Sequence, residues 1–321
     1  MTLVQPLLLD DRFPLPLDAP FTRARALRAG VTDKRLRTLV RRGFLRRPVL
    51  GVYVCAHVPD SLALRAEVLR LVLPPGCFAC DETAAWLHGA DMALAPNSHL
   101  VLPRVSFFRQ ADEGRLRNPL AVSGERTVAA RDLTEVRGLL VTTPLRTALD
   151  LGRLRHRDQA LAALDAFLHL GLVTPEQLAA SLERFARQRG VVQLRWLVSI
   201  ADGRAESAGE SALRIRWYDA GLPRPQLQIS IMRNGVELYR LDLGLEELLF
   251  AAEYDGVDFH SAPEQRSHDE GRRAELRETL RWLLEVFDHT HVYGRQQNAD
   301  VRLRAAYLRA RSTLGERTFI L

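Results

Sequence analysis

The sequence predicts a multi-domain α/β protein, and three observations predict it. Residues 21–58 read as two short basic helices followed by a pair of short strands. Residues 59–203 carry mostly helical periodicity with recognisable caps. From Ala208 onward the pattern changes to a helix, a tight hairpin and further strands, the order of a small α/β sheet domain. The expected boundaries are an arm at 1–20, a winged helix-turn-helix at 21–58, a mostly helical middle at 59–203 and an α/β domain at 204–321.

The Pro-rich, aperiodic start is read as an arm or loop. Phe21–Gly30 is a short helix stopped by glycine, and Val31-Thr32-Asp33 restarts the chain with Thr32 as N-cap. The second helix runs from about Asp33 to Arg42, with Leu36, Leu39 and Val40 as its apolar stripe and Gly43 at its end. Phe44–Val54 then forms two strands around a turn, so the order is that of a winged helix-turn-helix. In the middle, helices are expected at Leu62–Leu73, Cys80–His88, Pro144–Leu154, Asp158–Leu170 and Val191–Ala201. Another opens at Thr174-Pro175-Glu176-Gln177, with Thr174 as N-cap and Pro175 in the first turn. His99–Pro103 and Leu139–Thr143 read as strands. Arg146 and Asp150, four apart on one helix, read as an ion pair. In the last third, a helix at Glu210–Ala220 precedes a strand at Gln226–Met232, an Asn234-Gly235 turn and a strand at Val236–Leu243. Leu248–Tyr254 reads as a buried strand, 264–285 as a long charged helix, Phe287–Tyr293 as a last strand and 296–312 as a last helix.

The net charge is +6, and of the 45 basic residues only Lys34 is a lysine. Distribution says more than the total. Residues 21–50 hold ten basic side chains against one acid, Asp33. Lys34, Arg35, Arg37, Arg41 and Arg42 on the second helix, with Arg46 and Arg47 beyond it, are therefore the candidate contacts to DNA phosphates, against the alternative of a merely solvated face. No apolar run approaches the roughly 18 residues that span a bilayer, and no basic stretch leads into an apolar one at the N-terminus. No membrane is therefore expected as a partner, and the expected location is the cytoplasm. Cys55, Cys77 and Cys80 are too few and too odd for a disulfide framework and read as buried thiols.

The chemistry-bearing feature is acidic. Asp242 lies in one strand, and Glu253 and Asp255 sit two apart on the next, where side chains share a face. Glu210 lies upstream on a helix. Carboxylates converging from adjacent strands repel unless a cation sits between them, which suits Mg²⁺, or Mn²⁺, held for phosphodiester hydrolysis. The competing reading is a set of solvated surface acids.

These residues resemble a known superfamily. Gly209-Glu210-Ser211, Ala220-Gly221-Leu222-Pro223-Arg-Pro225, Leu241-Asp242-Leu243, Glu253-Tyr254-Asp255-Gly256, His260, Asp269 and Arg272-Arg273 together resemble PD-(D/E)XK nucleases. More narrowly they resemble very-short-patch-repair-endonuclease-like domains, over about residues 205–311. The resemblance implies a restriction-endonuclease-like sheet domain, with Asp242 and Glu253 as metal ligands and Glu210 as an auxiliary acid. The superfamily's lysine two residues after the Glu is Asp255 in this chain. Either Asp255 is a further ligand, with His260 or Arg273 supplying proton or charge roles, or cleavage has been lost. Arg272 and Arg273 could hold substrate phosphates or form helix ion pairs. Separately, Gly30-Val-Thr-Asp-Lys-Arg-Leu-Arg, Gly43-Phe-Leu-Arg-Arg and Gly51-Val-Tyr53 resemble the winged helix of AbiEi-like type IV antitoxins. Ala84-Ala-Trp86-Leu-His88-Gly and Thr143-Pro-Leu-Arg146-Thr-Ala-Leu-Asp150 resemble the region that follows it. That resemblance implies DNA-binding regulation and a toxin partner. Two functions stay open: a Mg²⁺-dependent endonuclease, and a non-catalytic transcriptional regulator with a degenerate nuclease fold.

Overall fold

The computed structural model describes residues 8–94, 104–111, 114, 116–118, 121–256, 272 and 274–318. The chain divides into two compact units, Thr2–Ala201 and Asp202–Leu321. It is a mixed α/β protein, and among the described residues no helix is long and apolar enough to cross a membrane.

The first unit opens with β1 (Phe21–Thr22), α1 (Arg23–Arg28), α2 (Asp33–Arg41), β2 (Leu45–Val49) and β3 (Val52–Cys55), with strands in the order β1-β3-β2. The caps are local: the Thr22 and Thr32 hydroxyls accept from Arg25 and Arg35 backbone N–H groups at 3.1 and 3.3 Å. Gly30 and Gly43, both at positive φ, release the chain from each helix. Leu36 is fully buried beneath α2 in a core with Ala26, Val31, Leu45 and Tyr53. The arm expected at 1–20 is corrected in part. Phe13 and Leu15 belong to that core, with the Phe13 and Phe21 rings 6.1 Å apart. Residues 8–20 are tied down because a two-helix winged domain has too little apolar surface of its own to close its core.

The rest of this unit comprises α3 (Leu62–Arg70), β4 (Phe78–Ala79), α4 (Asp81–His88), β5 (Val105–Arg109), β6 (Ala121–Glu125), β7 (Leu133–Val136) and β8 (Leu139–Thr142). The helices α5 (Pro144–Leu154), α6 (Arg157–His169), α7 (Pro175–Ala180) and α8 (Val191–Ile200) follow. The mostly helical expectation needs correction: a five-stranded mixed sheet, in the order β6-β5-β4-β8-β7, runs through this region. Its strands are two to five residues long, too short for an alternating pattern to stand out. The helices fall close to expectation, and Thr174 and Gln177 form a full capping box. Asp150, 2% exposed, pairs with Arg146 at 2.7 Å and Arg153 at 2.9 Å. Arg146 also reaches Asp132, which binds Arg184. All three cysteines are free and buried. The expected strand at His99–Pro103 lies outside the described residues.

The second unit has the order α9 (Ala208–Asp219), β9 (Gln226–Arg233), β10 (Val236–Leu245), β11 (Phe250–Tyr254), a short helix α10 described at 272 and 274–278, β12 (Leu283–Phe287), α11 (His289–Val292) and α12 (Ala299–Thr318). The sheet order is β12-β11-β10-β9, antiparallel except for the parallel pair β11–β12. Asn234 and Gly235, both at positive φ, turn the β9–β10 hairpin. Trp217 of α9 stacks on Phe250 at 5.1 Å, and α12 adds Leu303 and Ala306 on that face. Leu276 of α10 covers the other face with Leu241, Ala251 and Leu284. Two expectations are corrected. Leu283–Glu285, expected at the end of a long helix, belong to the strand Leu283–Phe287, because a short apolar run fits either period. His289 and His291, read as strand residues, lie in a helical turn capped by Asp288, whose Oδ1 accepts from the Thr290 and His291 N–H groups.

Candidate functional site

Two clusters were singled out by the sequence, one basic and one acidic. In the basic cluster, successive α2 residues step by about 100°, so Lys34, Arg35, Arg37, Arg41 and Arg42 span an arc of roughly 160° opposite buried Leu36. All five are exposed, as is Arg47. The local acid is spent inside the domain: Arg23 holds Asp33 in a two-point pair at 2.7 and 2.5 Å. Among the described residues no carboxylate pairs with Lys34, Arg35, Arg41, Arg42 or Arg47. Arg46 departs from its expected place on this surface. It is partly buried, donates to the Val58 carbonyl at 3.0 Å, and burial lowers its pKa. It braces the wing.

The acidic cluster forms where the β10–β11 ladder ends. Its last backbone pair is Leu243 with Ala252. One residue further, Asp242 Oδ2 accepts the Tyr254 N–H at 2.7 Å in place of a main-chain carbonyl. β10 also changes face here: Leu243 packs with α9 and α12, Leu241 with α10. The partner strand does the same between Leu227 and Ile229 through Gln228, a non-glycine residue at φ 53°. Glu210, in the first turn of α9, accepts the Glu206 N–H at 2.9 Å and the Gln228 amide at 3.0 Å. Gly209 is required beside it, since a Cβ there would stand 2.0 Å from the Tyr254 ring. Glu253, 4% exposed, binds Arg272 of α10 at 2.5 Å.

Charge follows this geometry. Burial, then repulsion from Glu210 and Glu253, pushes the Asp242 carboxyl up to about 7, against the Tyr254 hydrogen bond and Arg272, which pull it down. Burial also raises Glu210. Asp255 extends the β11–β12 pairing, its N–H donating to the Phe287 carbonyl at 2.7 Å. Its charge acts on Tyr254. The structure thus brings Glu210, Asp242 and Glu253 into one electrostatic cluster and gives each a structural partner. Among the described residues no group of three or more His, Cys, Asp or Glu side chains is placed to hold an ion, and Arg272 lies against Glu253. His260, Asp269 and Arg273 lie outside the described residues. Arg272, read as either a substrate-phosphate contact or an ion-pair residue, is tied to Glu253 and to the Arg240 carbonyl. Sequence reasoning missed Gln228 and Tyr254. The hydrogen-bonding roles of both depend on how the strands are paired, which no motif records.

The first unit thus places a helix-turn-helix with an exposed basic face ahead of a sheet-and-helix region. Residues 76–200 match the AbiEi antitoxin C-terminal domain. The match covers the middle sheet and helices and neither cluster described above. The chain is 35% identical over 254 residues to uncharacterized protein Rv2248 of Mycobacterium tuberculosis strain H37Rv, spanning 79% of this chain and 89% of that protein. The same figures hold for uncharacterized protein MT2308 of strain CDC 1551. The chain belongs to the family of these mycobacterial proteins. Among solved structures, RV2827C protein from the same organism aligns over 68% of this chain and 84% of its own, at 16% identity and a TM-score of 0.29.

Proposed function

We propose that the chain is a DNA-binding regulator of the type IV antitoxin class, with DNA held by α2 and the wing. The observation that carries this is the exposed, acid-free row of Lys34, Arg35, Arg41, Arg42 and Arg47. Its one neighbouring acid, Asp33, is neutralised by Arg23. The antitoxin-domain match at 76–200 supports the class, and the middle region is the natural seat for a toxin partner. Each phosphate contact releases counterions, so removing two should flatten the salt dependence of binding. Arg35→Ala/Arg41→Ala should lower DNA affinity and reduce the slope of log K against log salt by about 2. Fluorescence anisotropy on a duplex from upstream of the chain's own gene measures both. An unchanged slope removes α2 from the interface.

A second reading is favoured by one specific observation, the convergence of Glu210, Asp242 and Glu253 on a carboxyl pushed up to about 7. Mutual repulsion of this kind is what a bound cation relieves. The element order α-β-β-β-α-β and the acids' positions support an endonuclease-like domain. On this reading the purified chain with Mg²⁺ or Mn²⁺ cuts DNA, and Asp242→Ala and Glu253→Ala abolish cutting. Wild type and variants that behave alike leave only the regulator.

A further inference from the structure

Between the winged helix and the middle sheet, both within the first unit, lies a cavity of about 730 Å³. That is within the roughly 300–1,000 Å³ typical of small-molecule sites. Its floor is apolar and comes from two layers: Tyr53 of β3, Leu71 and Val72 after α3, and Val105 and Phe107 of β5. Tyr53, Val105 and Phe107 are buried, so the floor is closed, while exposed Leu71 stands toward the mouth. Its rim is basic. Arg23, Arg37 and Arg47 face one acid, Asp33, and Arg23 already neutralises that acid. Arg47 has no carboxylate partner among the described residues, and Arg37 donates to the Asp33 carbonyl at 3.4 Å while its charge adds to that of Arg23 in holding the Asp33 carboxyl down. An apolar floor with the Tyr53 and Phe107 rings, rimmed by guanidiniums in excess of carboxylates, complements a molecule with an aromatic body and one negative end. A neutral apolar molecule leaves the rim unanswered, and a small inorganic anion leaves the floor wet.

We propose that this cavity is a ligand site for an aromatic carboxylate, and that its occupant competes with DNA for Arg37 and Arg47. The ligand half stands on the cavity alone. The competition half rests on the DNA-binding reading above, because those two arginines belong to both surfaces. The sheet β1-β3-β2 also packs one face on the helix-turn-helix core and the other on the middle-domain core, so the cavity borders the joint between them.

The test uses the full chain and 2-naphthoate, first without DNA, by isothermal titration with neutral 2-methylnaphthalene and inorganic phosphate as comparison probes. Saturable binding of 2-naphthoate is expected, weakened about tenfold or more by Arg47→Glu, which reverses the rim charge, and by Val72→Trp, which fills the floor. Far-UV circular dichroism checks that each variant is folded, and the surface substitution Arg47→Glu decides if Val72→Trp is not. Absence of binding, indifference to Arg47→Glu, or equal binding of the neutral probe or of phosphate overturns the site. In the second arm, 2-naphthoate should weaken DNA binding in proportion to its occupancy. Naphthoate binding with unchanged DNA affinity overturns the competition. A chain that binds naphthoate but no DNA refutes the DNA-binding reading and the competition with it, and leaves the ligand site standing.

Discussion

Asp242 is held between two demands. Its Oδ2 closes the end of a β ladder on the Tyr254 N–H, while burial and the charges of Glu210 and Glu253 disfavour its ionised form. Its carboxyl in the folded chain sits at about 7, above the ordinary 3.8. Folding therefore takes up a proton between those values, so stability falls as the pH rises through that window. Below about pH 4 both states are protonated and the penalty vanishes. Asp242→Asn stays neutral and can still accept from Tyr254. It should melt with wild type near pH 4 and several degrees above it near pH 8, as read by thermal denaturation. A variant that is less stable at the higher pH would show that the carboxylate is stabilising, and that the repulsion is relieved by a partner such as a cation. The same residues serve either function, since Glu210 also braces the start of α9 and Glu253 also anchors Arg272.

At the level of elements, α5 and the turn at 182–185 are joined by buried charge as well as by apolar contact, since Arg146 of α5 and Arg184 share Asp132. Asp150 serves two guanidiniums, and Arg146, Arg153 and Arg184 surround the Phe185 ring at 5.7, 5.2 and 6.0 Å. Removing Asp150 leaves the largely buried Arg153 without a carboxylate, while Arg146 keeps Asp132. Asp150→Ala should destabilise the chain by about 3–5 kcal/mol, measured by urea denaturation. A loss under about 1 kcal/mol would show that water or neighbouring acids replace it. The helix α2 belongs to the opposite regime. Its cations are exposed and without acidic partners apart from intradomain Asp33, so their loss should change DNA binding and its salt dependence while leaving stability nearly untouched.

For the whole molecule, the division at Ala201–Asp202 puts the basic face and the antitoxin-domain region in one unit and the acidic cluster in the other. Each unit has its own buried core. A fragment of residues 1–201 should therefore fold alone, and should bind DNA with an affinity within about twofold of the full chain and the same salt slope. Circular dichroism and anisotropy test this. A fragment that folds but binds weakly would give the second unit a direct part in DNA recognition.

What the sequence determined by itself was local. Thr32 and Thr174 caps, Pro175 in a first turn, glycine stops and the Asn234-Gly235 hairpin are encoded within a few residues of where they act. The basic arc of α2 and the placing of Glu210, Asp242 and Glu253 on a helix and adjacent strands were legible for the same reason. The tertiary structure decided everything that needed a distant partner. Strands of two to five residues in the middle sheet exist because their neighbours pair with them. Arg46 left the surface for the Val58 carbonyl, Arg272 reached Glu253 across nineteen positions, and Gln228 turned the β9 strand over at the acidic cluster. None of these has a sequence signal, because each depends on which surfaces meet and on the cost of burying a polar group unpaired.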